Sequence, residues 1–127
     1  MNYLGKYKLN QQLCEFKLNI SNEYSKNYLK SCGIGNYESE FANPTELATL
    51  SLKYFLKKFP IPEGSIHTAQ EISINEKILK NKELKCSITL SHSKEIKNSL
   101  FIKVRSEYSF NDIIAGFSEG TLIVPKN

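Results

Sequence analysis

The stretch 43–58, with the sequence NPTELATLSLKYFLKK, decides the fold. Asn43 can cap a helix, Pro44 suits the first helical position because its missing N–H has no helical partner, and Glu46 follows at the capping-box position. Apolar side chains then cover most of the circumference and leave mainly lysines for solvent. The apolar positions are Leu47, Ala48, Leu50, Leu52, Tyr54, Phe55 and Leu56. We therefore expect a long, buried central helix.

The residues before this helix predict a strand and a short helix. Apolar and polar residues alternate over 13–20, which is typical of a half-buried strand. Ser21 is a suitable N-cap for a short helix, and Gly33 can take the left-handed conformation that ends it. Residues 33–42 are then a loop between the two helices.

The residues after the central helix predict four strands. Two prolines and a glycine in 59–64 exclude regular structure there, and period-two alternation or β-branched residues follow over 66–75, 84–92, 100–105 and 113–124. Short polar turns such as 93–98 and 111–112 should join them as an antiparallel meander. The expected fold class is α+β.

Composition indicates one globular domain over residues 1–127, with 1–12 as an N-terminal arm. The chain is 40% hydrophobic and 24% charged, and it contains three cysteines, an odd number without a CxxC pair. Free thiols in a reducing compartment are the simplest interpretation, and no metal site is expected. No apolar run has the length of a signal peptide or a membrane span, which favours a cytoplasmic protein without a membrane partner.

The charge pattern favours a solvated surface. The net charge is +4, from 17 basic residues interleaved with 13 acidic ones rather than gathered in a block. No sequence pattern of a nucleic-acid-binding module is present, so we expect no nucleic-acid partner.

The order of elements, with the sheet wrapped around a long central helix, resembles the hot-dog fold. Residues 64–72, GSIHTAQEI, resemble the strand after the central helix of MaoC-like acyl dehydratases, in particular the non-catalytic N-terminal half of double-hot-dog members. Residues 41–48, FANPTELA, resemble the start of their central helix, and 116–125, GFSEGTLIVP, their last strand. The resemblance implies a single hot-dog domain.

The catalytic residues that this resemblance implies are missing. Hydratases of the family hold a water with a carboxylate and a histidine, in a pattern like Asp-x-Asn-Pro-x-His after a glycine. Here Gly33 matches the glycine, but Ile34 stands where the aspartate should be, and 35–40 contain no histidine. Hot-dog thioesterases fit no better, because Ser51 and Ile74 occupy the positions expected to carry an acid and a histidine.

Several residues remain candidates for a site. His67, Glu38 and Glu40 could act as catalytic groups, since a strand histidine and loop carboxylates can hold a water. For substrate binding we predict Asn43, Thr45, Ser65 and His67, because the N-terminus of a buried helix offers free N–H groups and the positive end of a dipole. Simple capping is the structural alternative for Asn43 and Thr45.

The sequence hypothesis is a MaoC-like subunit that binds an acyl thioester such as acyl-CoA and needs no other cofactor. A second hot-dog subunit would supply the acid and histidine, so that this chain is the non-catalytic half of an enoyl-CoA hydratase or 3-hydroxyacyl dehydratase and assembles at least as a dimer. Two alternatives stay open. One is a self-sufficient thioesterase or hydratase that uses His67 with Glu38 or Glu40, and the other is a scaffold protein of an acyl-CoA enzyme complex.

Overall fold

A computed structural model describes residues 9–33 and 40–125. Five strands and two helices lie in this part of the chain. Their bounds are β1 Gln12–Asn19, α1 Asn22–Ser31, α2 Pro44–Lys58, β2 Ile66–Ile74, β3 Glu83–Ile96, β4 Ser99–Phe110 and β5 Ile113–Pro125. The predicted element order is therefore confirmed.

The five strands form one antiparallel sheet in the order β1-β3-β4-β5-β2. The predicted meander is correct for β3, β4 and β5 but wrong for β2, which pairs with β5 through partners such as Ile72 and Ser118. The strand β1 already occupies the free side of β3, where Phe16 lies opposite Cys86. The chain that leaves α2 therefore forms β2 at the opposite edge of the sheet, beside β5.

The helix α2 packs across one face of this sheet. Its Phe55 is fully buried, together with Ile102 and Tyr108 of β4, whose side chains point towards the helix. The predicted all-round burial of α2 is too wide, because Tyr54 is 39% exposed and packs its ring 5.2 Å from that of Phe16. A two-layer domain covers a helix on one side only, so the opposite side stays in solvent.

The start of α2 is capped as predicted, with one correction. The Asn43 Oδ1 atom accepts a hydrogen bond from the Thr45 N–H at 3.0 Å. The Glu46 side chain does not complete a capping box, because its Oε1 atom accepts a hydrogen bond from Ser25 Oγ of α1 at 2.9 Å instead. The packing of α1 over the first turn of α2 turns Glu46 away from its own helix terminus.

Strands β3 and β4 run beyond the lengths predicted from sequence, and β1 lies one residue earlier than predicted. The hairpin turn between β3 and β4 is Lys97–Asn98 rather than 93–98, and His92 lies inside β3 rather than at its end. The His92 ring meets the Phe101 ring edge-on, with centroids 5.8 Å apart. The end of β3 continues as polar residues past the helix, where neither face is buried, whereas β4 extends past residue 105 with Ser106 and Tyr108 still buried. Strand β1 likewise begins at Gln12, inside the predicted arm.

Candidate functional site

A cavity of about 470 Å³ lies at the N-terminus of α2. Its walls come from α1, from the residues just before α2, from the first turn of α2, and from the end of β2 with the segment after it. The apolar lining consists of Leu29, Phe41, Ala42, Pro44, Leu47, Ile74 and Ile78. A volume in this range is typical of small-molecule sites, and the wall combines apolar and polar groups about equally. We refer to this cavity as the helix pocket.

Glu46 is the buried acid of the helix pocket. It is 1% exposed, and Oε1 holds the hydrogen bond from Ser25. The other oxygen, Oε2, is buried and has no hydrogen-bond partner within residues 9–33 and 40–125. Burial, together with the charge of Glu46, raises the pKa of the neighbouring Tyr24 hydroxyl. Because buried polar atoms are almost always paired, this oxygen needs an explanation.

Two lysines also line the helix pocket. Lys77 is exposed and places its Nζ 4.9 Å from the centre of the Phe41 ring, while Lys80 is half-buried. In the described part of the chain, neither lysine forms an ion pair with Glu46. The pocket therefore combines an unpartnered acceptor with positive charge and apolar walls.

The predicted binding residues at this helix terminus act as caps. Asn43 lines the helix pocket, and its Oδ1 atom accepts hydrogen bonds from both the N–H and the hydroxyl of Thr45, the latter at 2.8 Å. The Thr45 side chain is exposed. Both side chains thus have partners within their own turn, and their contact with substrate stays a prediction.

The other predicted binding residues lie at the β2 edge. Ser65 donates to the carbonyl of Pro62 at 2.6 Å and closes the turn before β2. His67 Nε2 lies 3.0 Å from Gln70 Oε1, and both side chains are exposed. A bulge between His67 and Ala69 brings residues 67 and 70 to the same, helix-facing side of the sheet.

The predicted catalytic pairing is not assembled within the described residues. Glu40 is exposed, its carbonyl accepts a hydrogen bond from the N–H of Lys80 at 2.9 Å, and no described hydrogen bond or ion pair joins it to His67. Glu38 lies outside the described residues. The role of all three as catalytic groups stays a prediction.

A second buried polar group connects α2 to the sheet. The Tyr108 hydroxyl lies 2.8 Å from Ser51 Oγ and 2.6 Å from Ser118 Oγ. Burial raises the pKa of Tyr108 to about 12, and the hydrogen bonds with Ser118 and Ser51 oppose part of that rise. Ser51, which takes the position of an acid in thioesterases, here belongs to the interior packing.

Sequence reasoning missed Glu46 and Gln70 as site residues. Glu46 was interpreted as part of a capping box, yet it stands four residues before the buried Leu50 and therefore on the same face of α2. That spacing was the available signal for its burial. The partnership of His67 with Gln70 depends on a bulge, for which the sequence carries no comparable signal.

No candidate metal-binding cluster is present among the described residues. Within 9–33 and 40–125, no three histidine, cysteine or acidic side chains come together as metal ligands. The three cysteines are free, burial raises the pKa of Cys86 to about 12, and burial also moves the pKa of Cys14 above its ordinary value. In the same part of the chain, neither helix has the length and hydropathy needed to cross a membrane.

Comparison with known proteins gives matches in structure only. No protein-family model and no curated protein sequence matches the chain. A MaoC-like dehydratase from Rhodospirillum rubrum has a TM-score of 0.74 at 11% identity, with 100% of this chain and 99% of that chain covered. An (R)-hydratase from A. caviae involved in PHA biosynthesis has a TM-score of 0.71 at 14% identity, covering 94% and 98%.

A third match is part of a complex of two different chains. It belongs to the HadBC (3R-hydroxyacyl-ACP dehydratase) complex from Mycobacterium tuberculosis, with a TM-score of 0.70 at 13% identity, covering 85% of this chain and 90% of that one. The three matches cover 85–100% of this chain and 90–99% of the matched chains. The chain therefore has the hot-dog fold, in the form found in MaoC-like dehydratase and hydratase structures.

Proposed function

We propose that this chain is a hot-dog subunit that binds an acyl thioester, such as acyl-CoA, and forms the non-catalytic half of an enoyl-CoA hydratase or 3-hydroxyacyl dehydratase. The observation that carries the proposal is the edge strand β2. From Ile66 to Glu71 every residue of this strand is exposed, although β2 is hydrogen-bonded along β5. An edge of this kind is a template for pairing with another chain.

The position of the two histidines supports the non-catalytic role. The chain has only His67 and His92, and neither lines the helix pocket. His67 is engaged with Gln70, and His92 packs against Phe101. A hydration reaction needs a general acid and a general base at the acyl group. A second hot-dog subunit would supply them, as the two-chain HadBC complex suggests.

The helix pocket supports the binding role. It places apolar walls next to the N-terminus of α2, where Pro44 begins the helix and the backbone dipole presents its positive end. An acyl chain would lie along the apolar walls. The lysines Lys77 and Lys80 would face the anionic groups of the carrier.

The assembly part is tested with two matched edge variants. Ala69→Glu adds a negative charge in the middle of β2, and Asn19→Glu adds the same charge at β1, the other edge of the sheet. Sizing with light scattering should show at least a dimer for the wild-type chain, alone or with a catalytic hot-dog chain. We expect Ala69→Glu, but not Asn19→Glu, to shift it to a monomer.

The functional part is tested by titration and by a crotonyl-CoA hydration assay. The purified chain should bind acyl-CoA without hydrating it, and co-expression with a catalytic hot-dog chain should give a hetero-oligomer more active than either chain alone. Turnover by the chain alone that His67→Ala abolishes would instead establish the self-sufficient enzyme. A monodisperse monomer that binds neither acyl-CoA nor a second hot-dog chain would overturn the proposal.

A further inference from the structure

The free oxygen of Glu46 points to a ligand with a hydrogen-bond donor. An ionised carboxylate only accepts hydrogen bonds, and Oε2 of Glu46 is buried without a donor in the described part of the chain. The other oxygen, Oε1, already makes the structural contact of this side chain, because it accepts the hydrogen bond from Ser25 Oγ that joins α1 to α2. Leaving Oε2 unpaired disfavours the empty state, and a protein tolerates such an atom where function requires it.

The described neighbours do not offer that donor. Lys77 and Lys80 line the same pocket but form no ion pair with Glu46, and the nearby Thr45 hydroxyl is bonded to Asn43. The side-chain amide of Asn75 also lines the pocket but forms no hydrogen bond with Oε2, and Leu29, Leu47 and Ile78 carry no donor. Oε2 is therefore left for a donor carried by an occupant of the helix pocket.

The enoyl and 3-hydroxyacyl forms in the proposed reaction differ in their hydrogen-bond donors. An enoyl chain carries no hydrogen-bond donor, whereas a 3-hydroxyacyl chain carries one hydroxyl group. We infer that Glu46 is a specificity-determining residue, whose Oε2 accepts a hydrogen bond from the hydroxyl group and makes the helix pocket selective for hydroxyacyl over enoyl or unsubstituted acyl groups. This inference rests on the proposed function for the acyl thioester itself.

The physical basis of the selectivity is the cost of an unpaired acceptor. A site built to hydrogen-bond a hydroxyl group rejects the analogue that lacks it, because the buried group is then left without a partner. A hydroxyl group on a carboxylate is a charge-assisted hydrogen bond, among the stronger kinds. We expect about a tenfold to hundredfold difference in Kd between the two ligands.

The test is a binding cycle with two ligands and matched variants. Isothermal titration would compare 3-hydroxybutyryl-CoA with butyryl-CoA, which differ only in the hydroxyl group, on the wild-type chain, Glu46→Leu and Glu76→Leu. Glu76 is an exposed acid that lines the same pocket, so its substitution makes the same change of charge. Glu46→Leu should weaken the binding of 3-hydroxybutyryl-CoA to about that of butyryl-CoA and so remove the preference, while Glu76→Leu should keep the preference.

Two further measurements keep the result interpretable. Thermal melts should show that Glu46→Leu folds, because replacing a buried charge by an apolar group of similar volume is often neutral or stabilising. If it does not fold, the double variant Ser25→Ala/Glu46→Leu removes the orphaned hydroxyl as well. Equal affinity of the wild-type chain for both thioesters would overturn this inference and leave the proposed function standing. No binding of either thioester would overturn both.

Discussion

Ser51 on α2 and Tyr108 on β4 share a hydrogen bond of 2.8 Å that joins the central helix to the sheet. Ser51 also donates its hydroxyl proton to the carbonyl of Ala48 at 3.1 Å, so in this contact it accepts from Tyr108. Tyr108 then accepts from Ser118 of β5 at 2.6 Å. One buried phenol thus connects the helix to two strands with every hydroxyl proton used.

The first prediction removes this connection. Tyr108→Phe keeps the ring but leaves Ser51 and Ser118 without their partner, so the free energy of unfolding should fall by about 1–3 kcal/mol. Urea denaturation measures the loss. Tyr54→Phe, at an exposed position of α2, is the control and should change stability by less than about 0.5 kcal/mol. Equal effects of the two variants would show that the hydrogen bonds contribute nothing.

The second prediction concerns the burial of α2. Phe55 is fully buried and stacks on Phe59 with ring centroids 5.3 Å apart, so Phe55→Ala should cost about 3–5 kcal/mol. The neighbouring Tyr54 is partly exposed, and Tyr54→Ala should cost clearly less. Denaturant melts of both variants test the prediction. A loss below about 0.5 kcal/mol for Phe55→Ala would mean that α2 is peripheral.

Local signals explain how well α2 could be predicted from the sequence. The bounds of the helix follow from Asn43, Pro44 and the proline after Phe59, all of which act within a few residues of where they stand. The turn at Asn111–Asp112 is equally local, since both residues take positive φ angles. Caps, prolines and turns can be read from sequence because their effects need no distant partner.

The pairing of β2 and the role of Glu46 could not be predicted in the same way. β2 joins β5 because β1 already fills the side of β3, and that choice depends on strands more than 40 residues apart in sequence. Glu46 is buried because α1 packs over it and presents Ser25. The candidate site therefore depends on contacts between elements, for which local pattern gives little guidance.

The third prediction is a loss of stability at alkaline pH. Burial raises the pKa of Cys86 from 9.0 and that of Tyr108 from 10.0, in both cases to about 12. Between pH 9 and 12 the unfolded chain has lost protons that the folded chain keeps, so the free energy of unfolding falls as pH rises. The contribution is complete below pH 9, and its loss should amount to roughly 6 kcal/mol by pH 12, about 4 from Cys86 and about 2 from Tyr108.

Urea melts at pH 8, 9, 10 and 11 measure this profile. Cys86→Ala should flatten most of the part between pH 9 and 10, where the buried thiols of Cys86 and Cys14 keep protons that the unfolded chain has lost. Tyr108→Phe should flatten the part above pH 10. A profile that is unchanged in both variants would show that other groups cause the alkaline loss.

The last prediction compares two glycines of β5 that face β2 on the helix side of the sheet. A Cβ atom at Gly116 would lie 2.8 Å from the Cα of Ile74, in the main chain of β2, which cannot move without opening the β2–β5 pairing. A Cβ atom at Gly120 would lie 2.9 Å from Gln70 Oε1, which is the terminal atom of a flexible side chain. The same substitution therefore meets a rigid obstacle at one position and a movable one at the other.

We expect Gly116→Ala to destabilise the fold by about 1–3 kcal/mol and Gly120→Ala by less than about 1 kcal/mol. Gly120→Ala should instead displace Gln70 and break its hydrogen bond with His67, which NMR of the imidazole resonances would detect. Urea melts of both variants give the stability comparison. If Gly116→Ala were as mild as Gly120→Ala, then β2 would not lie as closely on β5 as described. In that case the exposed edge on which the proposed assembly depends would also be in doubt.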